Sequence, residues 1–395
     1  MSTPASPDDV RRTFAVLGST GKATTCYLLD HVAAALGRST AIFSTVELKV
    51  GSERAPVERD TQPDIAALLR RADEARIDDT IVELRWHELS TGAAQGRHID
   101  VAAFTHLDPA VEGDRYEEHL AQIEAVLTAA GRALVLVDDQ AGVELARRVP
   151  GAITVGSLPH DQDADWQISI NAARADHIEF TLTHRTGRSV STALWIPTRF
   201  SVGYAALALA SVMETGVLGS TIAHVLPHGL RPVVPGRIER VADRPRVIVD
   251  IAHNPARLSR ALLPLRKTTK GKLIVVLSAR ASDDPETRRA IGRAAAAAAH
   301  SIVVTDDDYG IDDDPAAVRA DVLAAAREAG ATSLTEVSPR RAAIRAAVAL
   351  AGRDDTVLVA GRGHLTSILV AGEREHLDDR EEVRAGIAQR HAAAG

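Results

Sequence analysis

The stretch FAVLGSTGKATTCYLLDHVAAALG, residues 14–37, decides the fold. "TFAVLG" is a short apolar run closed by glycine, which suits a buried strand. "KATTCYLLDHVAAAL" places apolar residues at helical spacing. A strand, a glycine-bounded turn ending in lysine and a helix are the parts of a phosphate-binding loop. The backbone N–H groups of Gly18, Ser19, Thr20 and Gly21 can face an anion, and the helix adds its positive N-terminal end. Lys22 would neutralise β- and γ-phosphates. The full P-loop pattern also asks for a glycine at position 16 and a hydroxyl at position 23. This chain has Val16 and Ala23 there. Thr24 is next door, about 100° around the helix. By itself the unit reads equally as a phosphate site or as an ordinary glycine turn.

Outward from this stretch, strands and helices alternate. "STAIFSTVEL" reads as a strand and "QPDIAALLRRADEARI" as a helix with Pro63 in its first turn. "DDTIVELRW" and "IDVAAFTHL" read as strands, and "RYEEHLAQIEAVLTAAG" as a helix before the strand "RALVLVDD". This predicts a mostly parallel sheet with helices on both faces. Residues 151–196 have period-2 alternation with a turn at "RTGR" and read as antiparallel strands. "TRFSVGYAALALASVMETG" is a helix. The Pro/Gly-rich stretch "LPHGLRPVVPGRIERV" is the strongest domain boundary, near residue 235. Alternation then resumes to the end, predicting a second doubly wound α/β domain. Its ligands belong at the carboxyl ends of the strands, which carry "AHNP", "SARASDD", "TDDDYG" and "GRGH".

The length of 395 residues fits two or three domains, and the 45 % hydrophobic content is enough for ordinary cores. A net charge of −7 gives no basic footprint for nucleic acid. Cys26 is the single cysteine, so no disulfide forms within the chain, which fits a reducing compartment. The first twelve residues are polar, and no apolar run approaches the ~20 residues that span a bilayer. A cytoplasmic protein with no membrane partner is the expectation.

Four motifs carry candidate chemistry. Glu83 in "VELRWHEL" closes a strand, where its carboxylate could ligate Mg2+ or simply be solvated. Arg237 in "PGRIERV" could clamp a phosphate with its planar fork of donors, or be a solvated linker arginine. Asp250, His253 and Asn254 in "VDIAHNP" lie between a strand and a helix, a normal place for nucleotide contacts. Helix capping is the alternative for Asn254.

In order along the chain, these segments resemble the Mur ligase family. Its "GTNGKTT" is similar to "GSTGKAT", and its "TTP" to "TQP" at Thr61 to Pro63. "MEVSSHAL", "G-R" and "FD-A-FTNL" are similar to "VELRWHELSTGAAQGRHIDVAAFTHL". "PGR-E", "D-AHNPD" and "VLVAGKGHE" are similar to "PGRIERV", "DIAHNPA" and "VLVAGRGHL". The tail "LDDREEVRAGI" resembles the "FDDRE" of the branch that makes the muramyl-tripeptide precursor. The resemblance runs from about residue 13 to 391. It implies an α/β fold with a central P-loop ATPase domain and a C-terminal Rossmann-like domain. The expected layout is a flexible tail over 1–12, a central ATP-binding domain over 13–235 and a C-terminal domain over 236–395.

The activity it implies is ATP- and Mg2+-dependent joining of a carboxylate to an amine through an acyl phosphate, in a cleft between the two domains. Lys22 and Arg237 would be catalytic. Gly18, Ser19, Thr20, Gly21, Lys22, Thr24, Asp250, His253 and Asn254 would bind the nucleotide, and Glu83 and Thr24 the metal. The family's N-terminal UDP-sugar domain has no counterpart ahead of the loop, so a substrate other than a UDP-muramyl peptide is expected. The differences from the family cluster on catalysis. Ala23 replaces the metal-binding hydroxyl, "THLDPAVEGD" lacks the family's histidine, and "YEEHLAQIEAVL" lacks its modified lysine. "SVGY", Ser201 to Tyr204, replaces "N-x-x-N", and "DDDYG" replaces "DNPR", with Gly310 at the arginine. Three readings stay open: an active ligase on small-molecule substrates, a pseudoenzyme that binds a nucleotide or a protein partner, and a hydrolase or kinase on the same scaffold. If the acidic stretch at 306–314 faces substrate, it would favour a cationic or neutral amine; the alternative is a solvated loop.

Overall fold

A computed structural model describes residues 10–58, 64–91, 98–157, 164–174, 176–196 and 198–394. The "TQP" motif, Arg97 of "QGR" and most of the expected tail lie outside them. The chain divides into two compact units, the first over 10–57 and 64–233, the second over 234–394 together with Glu58.

The first unit begins with β1 (Arg12–Leu17), α1 (Lys22–Ala35), β2 (Thr40–Phe43), β3 (Glu47–Val50), β4 (Glu53–Pro56), α2 (Ile65–Glu74), β5 (Asp79–Glu83), α3 (Trp86–Thr91) and β6 (Val101–Phe104). It continues with α4 (Pro109–Glu112), α5 (Tyr116–Ala129), β7 (Arg132–Leu136), α6 (Gln140–Arg148), β8 (Ile153–Gly156), β9 (Trp166–Ala173), β10 (Ile178–His184), β11 (Ser189–Leu194), α7 (Arg199–Met213) and α8 (Gly219–Val225). Among the described residues these strands form one sheet in the order β11-β10-β9-β8-β7-β6-β1-β5-β2-β3-β4. The centre is parallel, and β9–β11 and β3–β4 extend it antiparallel at the two ends. Ala15, Leu17, Phe43, Val82, Phe104 and Val135 pack on one face against α2, α5 and α6. Helices α1 and α7 cover the other. Coverage of both faces explains why β1 is apolar at every position from Phe14 to Leu17 rather than alternating.

Two expectations fail locally, for the same kind of reason. "STAIFSTVEL" is not one strand. The Ser44 Oγ accepts from Val46 N and Glu47 N, both at 3.1 Å, and turns the chain back as β3. "DDTIVELRW" ends as a strand at Glu83. Glu88 reaches back to accept from Arg85 N at 2.9 Å, and this opens the helix α3. The start of β1 at Arg12 also lies inside the expected tail.

The second unit contains β12 (Glu239–Asp243), β13 (Arg246–Asp250), α9 (Pro255–Thr268), β14 (Leu273–Leu277), α10 (Pro285–Ala296), β15 (Ser301–Val304), α11 (Pro315–Glu328), β16 (Leu334–Glu336), α12 (Arg340–Leu350), β17 (Thr356–Ala360), β18 (Ser367–Val370), β19 (Glu373–His376) and α13 (Asp379–Ala394). Its main sheet runs β12-β13-β17-β14-β15-β16, parallel except for β12, with β18 and β19 as a separate hairpin. Leu273, Val275 and Leu277 face α9, α10 and α11. Ile274 and Val276 face α12 and Val383 of α13. Three helices start the same way, with a capping Asn or Asp followed by proline: Asn254, Asp284 and Asp314 each accept a first-turn N–H. The cap satisfies an orphan donor, and proline at the first helical position needs none. No helix among the described residues is long and apolar enough to cross a membrane.

Candidate functional site

The strand β1 delivers the loop, and α1 begins at its lysine. Gly18 and Gly21 have φ of +129° and +85°, in the region that favours glycine. Ser19 N donates to His106 O at 2.7 Å, so that amide is already engaged and does not face an anion. The Ser19 Oγ donates to the same carbonyl and accepts from Asp108 N, both at 3.2 Å. The single O–H of Thr105 lies between Leu17 O and Thr20 O, with Oγ1 at 2.9 and 2.6 Å. The loop is thus laced to the end of β6. The His106 ring is in turn paired with Asp139, the residue that caps α6.

Lys22 donates to Gly18 O at 2.6 Å and lies 3.8 Å from Glu83 Oε1. Its ammonium also sits 5.8 Å from the centre of the Trp86 ring. The other neighbour of Trp86 is His119, stacked on it at 3.8 Å and 4°. The His119 Nδ1 bonds the Glu112 Oε2 at 2.7 Å. His119 thus lies in the helix segment where the resemblance asks for a lysine, and its hydrogen bond ties α5 to Glu112 of α4. Glu83 is not a solvated strand end. Its side chain is 4 % exposed, and it accepts from Thr45 N at 2.8 Å and Thr45 Oγ1 at 3.1 Å. Thr24 is half-buried, whereas Ala23 and Thr25 are buried, and the Thr25 hydroxyl donates back to Gly21 O at 3.0 Å. Cys26 is buried behind the loop, where burial and then the charge of Glu83 push its thiol up.

Tyr204 of α7 is the loop residue that local sequence does not announce. A Cβ on Gly21 would lie 2.3 Å from its ring. Its OH is 3.5 Å from the Thr20 Oγ1. The chain signals it only through "SVGY", 184 residues from Thr20.

In the second unit two motifs cross. A Cβ on Gly236 of "PGR" would lie 2.0 Å from the backbone of Gly363 and His364 of "GRGH". Gly236 N also donates to the Glu239 Oε2 at 2.7 Å. Asp250 is buried, with Oδ2 accepting from Ile238 N at 2.7 Å and Oδ1 from Ala252 N at 2.8 Å. Burial raises its carboxyl above the ordinary value, with Arg237 acting in the opposite sense. Asn254 caps α9 by accepting from Arg257 N at 2.9 Å. The His253 Nδ1 donates to Ile251 O at 2.9 Å. Arg237 follows directly on the Gly236 crossing.

The acidic stretch is largely internal rather than a solvated loop. Asp306 pairs with Arg319 and Ser338. Asp307 accepts from the Ser278 Oγ at 2.8 Å and from Arg362 at 2.6 Å, and Asp308 accepts from Arg362 at 2.8 Å. Arg362, like Asp307, is buried. Guanidinium groups therefore compensate these carboxylates. The electrostatic reason for favouring a cationic amine falls away, and exposed acids remain only from Asp312 onward.

Residues 16–212 match the Mur ligase middle domain, and residues 236–363 match the family described as Mur ligase, glutamate ligase domain. The chain is 33 % identical to the UDP-N-acetylmuramoyl-L-alanyl-D-glutamate--2,6-diaminopimelate ligase of Corynebacterium glutamicum, covering 95 % of this chain and 75 % of that one. It is 32 % identical to the UDP-N-acetylmuramyl-tripeptide synthetase of Leifsonia xyli, covering 97 % and 76 %. Among solved structures, a UDP-N-acetylmuramoyl-L-alanyl-D-glutamate--2,6-diaminopimelate ligase superposes with a TM-score of 0.67 at 22 % identity, covering 97 % of this chain and 79 % of that one. A bifunctional folylpolyglutamate synthase/dihydrofolate synthase with Mn, AMPPNP and L-glutamate bound gives 0.65 at 21 % identity, covering 89 % and 87 %. The two structures share the fold.

Proposed function

We propose that this chain, which belongs to the Mur ligase family, is an ATP-dependent amide ligase that joins a carboxylate to an amine through an acyl phosphate, on a substrate other than a UDP-muramyl peptide. The observation that carries the activity is the Lys22–Glu83 pair at the mouth of the loop. A cation for the phosphates and a carboxylate for a divalent ion lie 3.8 Å apart and nearly buried. Phosphoryl transfer is driven mainly by such fixed charges.

The donor set fits Mg2+, which is commonly held by one or two carboxylates together with substrate phosphates and water. Glu83 would hold it, with the Thr24 hydroxyl in the first turn of α1 as the second protein oxygen. The bound ion supplies positive charge against the phosphates. Lys22 would exchange Gly18 O for phosphate oxygens. The substrate carboxylate attacks the γ-phosphorus and ADP leaves. The amine then displaces phosphate from the acyl carbon and gives up a proton. In the second unit the proposal keeps Arg237 as a phosphate ligand and His253 as a nucleotide contact. It gives Asp250 and Asn254 scaffolding roles first, because their oxygens already hold backbone N–H groups. The changed amine substrate is supported by Gly310 and by the arginine-compensated carboxylates at 306–308. A neutral amine fits them better than a diacid.

One observation favours a second reading, a pseudoenzyme that binds a nucleotide or a protein partner without turnover. The loop is satisfied from within: Lys22 on Gly18 O, Ser19 N on His106 O, and Glu83 on Thr45. The test is ADP release from Mg2+ and ATP over a panel of carboxylates, UDP-linked and not, paired with neutral, cationic and acidic amines. The ligase reading expects ADP that requires both an acid and an amine, reduced about 100-fold or more in Lys22→Ala. No ADP release with any acid–amine pair supports the second reading.

A further inference from the structure

Trp86 opens α3, three residues beyond Glu83, and two side chains meet its ring. The Lys22 ammonium sits 5.8 Å from the ring centre. That is inside the ~6 Å over which a cation is drawn to an indole face. The His119 ring is stacked on the indole at 3.8 Å and 4° from parallel. His119 is itself fixed. Its side chain is 3 % exposed, and its Nδ1 bonds the Glu112 Oε2 at 2.7 Å. Trp86, Glu112 and His119 come from three helices, α3, α4 and α5, so tertiary packing sets the plane of the indole. The stack is kept at a cost. The His119 Nε2 is buried with no hydrogen-bond partner, and an unmade bond of that kind destabilises the fold. Such local conflicts are expected beside functional groups. Lys22 is the functional group within reach. Gly18 O and Glu83 both engage its ammonium, but ordering a lysine stem costs rotamer entropy. A fixed indole face offsets that cost before any ligand arrives.

We infer that Trp86 is a positioning residue for Lys22, and that His119, anchored by Glu112, acts through Trp86 by fixing the indole plane. The indole holds the Lys22 ammonium at the mouth of the phosphate loop, and the stacked imidazole denies the indole other orientations. The inference rests on the proposed function only for the anion that Lys22 meets, a nucleotide phosphate.

The test is fluorine NMR of the full chain labelled with fluorotryptophan, beside ATP titration of the same variants. The chain has three tryptophans, so three resonances are expected, and Trp86→Phe assigns one of them. In the free protein Lys22→Met, which keeps the stem and drops the charge, should move the Trp86 resonance and leave the other two in place. His119→Asn, which keeps a donor for Glu112 and removes the stacked ring, should move the same resonance. ATP should move it in wild type and not in Lys22→Met. Trp86→Leu should weaken ATP binding about 3- to 10-fold, and Trp86→Phe, which restores a ring face, should recover most of that loss. His119→Asn should weaken binding by a smaller factor and add nothing on top of Trp86→Leu, because it acts only through the indole. A Trp86 resonance unmoved by Lys22→Met overturns the inference. So does a Trp86→Leu chain that melts lower but binds ATP as wild type does, or a double variant that loses the product of the two single effects. A wild-type chain that binds no ATP refutes the ligase reading, and the Lys22→Met comparison in the free protein still decides this one.

Discussion

Arg340→Ala lowers the melting temperature by roughly 6–20 °C. Arg340 is 1 % exposed, and its partner Asp379 is completely buried. The pair is bidentate, Nε to Oδ1 at 2.9 Å and Nη2 to Oδ2 at 2.7 Å. The same guanidinium donates to the Ser278 Oγ at 3.1 Å and to Ala360 O at 2.9 Å. One side chain therefore ties the starts of α12 and α13 to the ends of β14 and β17. Burial acts to lower its pKa, but Asp379, with Asp307 and Asp308, acts in the opposite sense and the guanidinium ends up raised. Truncation leaves Asp379 charged and alone in the interior, which costs about 3–5 kcal/mol. The double change Arg340→Met with Asp379→Leu removes both charges and should recover most of the loss. A single variant that melts within 2 °C of wild type would contradict this account. The prediction also assigns Asp379, part of the "DDRE" tail, a structural role.

Gly21→Ala costs about 2–4 kcal/mol and distorts the phosphate loop. Two separate terms contribute. The backbone at φ +85° is strained for any side chain, and the added Cβ meets the Tyr204 ring at 2.3 Å. Tyr204→Ala relieves only the second. A double-mutant cycle on Gly21→Ala and Tyr204→Ala should therefore give a favourable coupling of about 1–3 kcal/mol, with the strain term left over. Additive effects would mean that the ring does not constrain the loop.

Much of the fold is legible locally. The strand–turn–lysine–helix unit at 14–37, the Asn-Pro and Asp-Pro helix starts, and the apolar strands of the second unit are set by nearest neighbours and by burial on both faces. The site is less legible, because its settings come from across the sequence. Glu83 can be located as a strand end, but its partner Thr45 comes from the turn between β2 and β3. Reading "STAIFSTVEL" as one strand hid that turn, since the bond that makes it runs from a serine hydroxyl to the backbone rather than from any apolar period. Tyr204 behaves likewise. Its place against Gly21 follows from α7 packing on α1, and nothing near position 204 says so. The acidic stretch misleads in the opposite direction: Asp306–Asp308 read as solvated charge until Arg319 and Arg362 are seen to neutralise them.

The central claim is that the loop still works as a nucleotide site despite Ala23. It is tested most directly by calorimetric titration of ATP into the full chain, with and without Mg2+, beside Lys22→Ala. The account predicts binding that strengthens with Mg2+ and disappears in Lys22→Ala. No ATP binding in either condition, or binding that the variant retains in full, would contradict it.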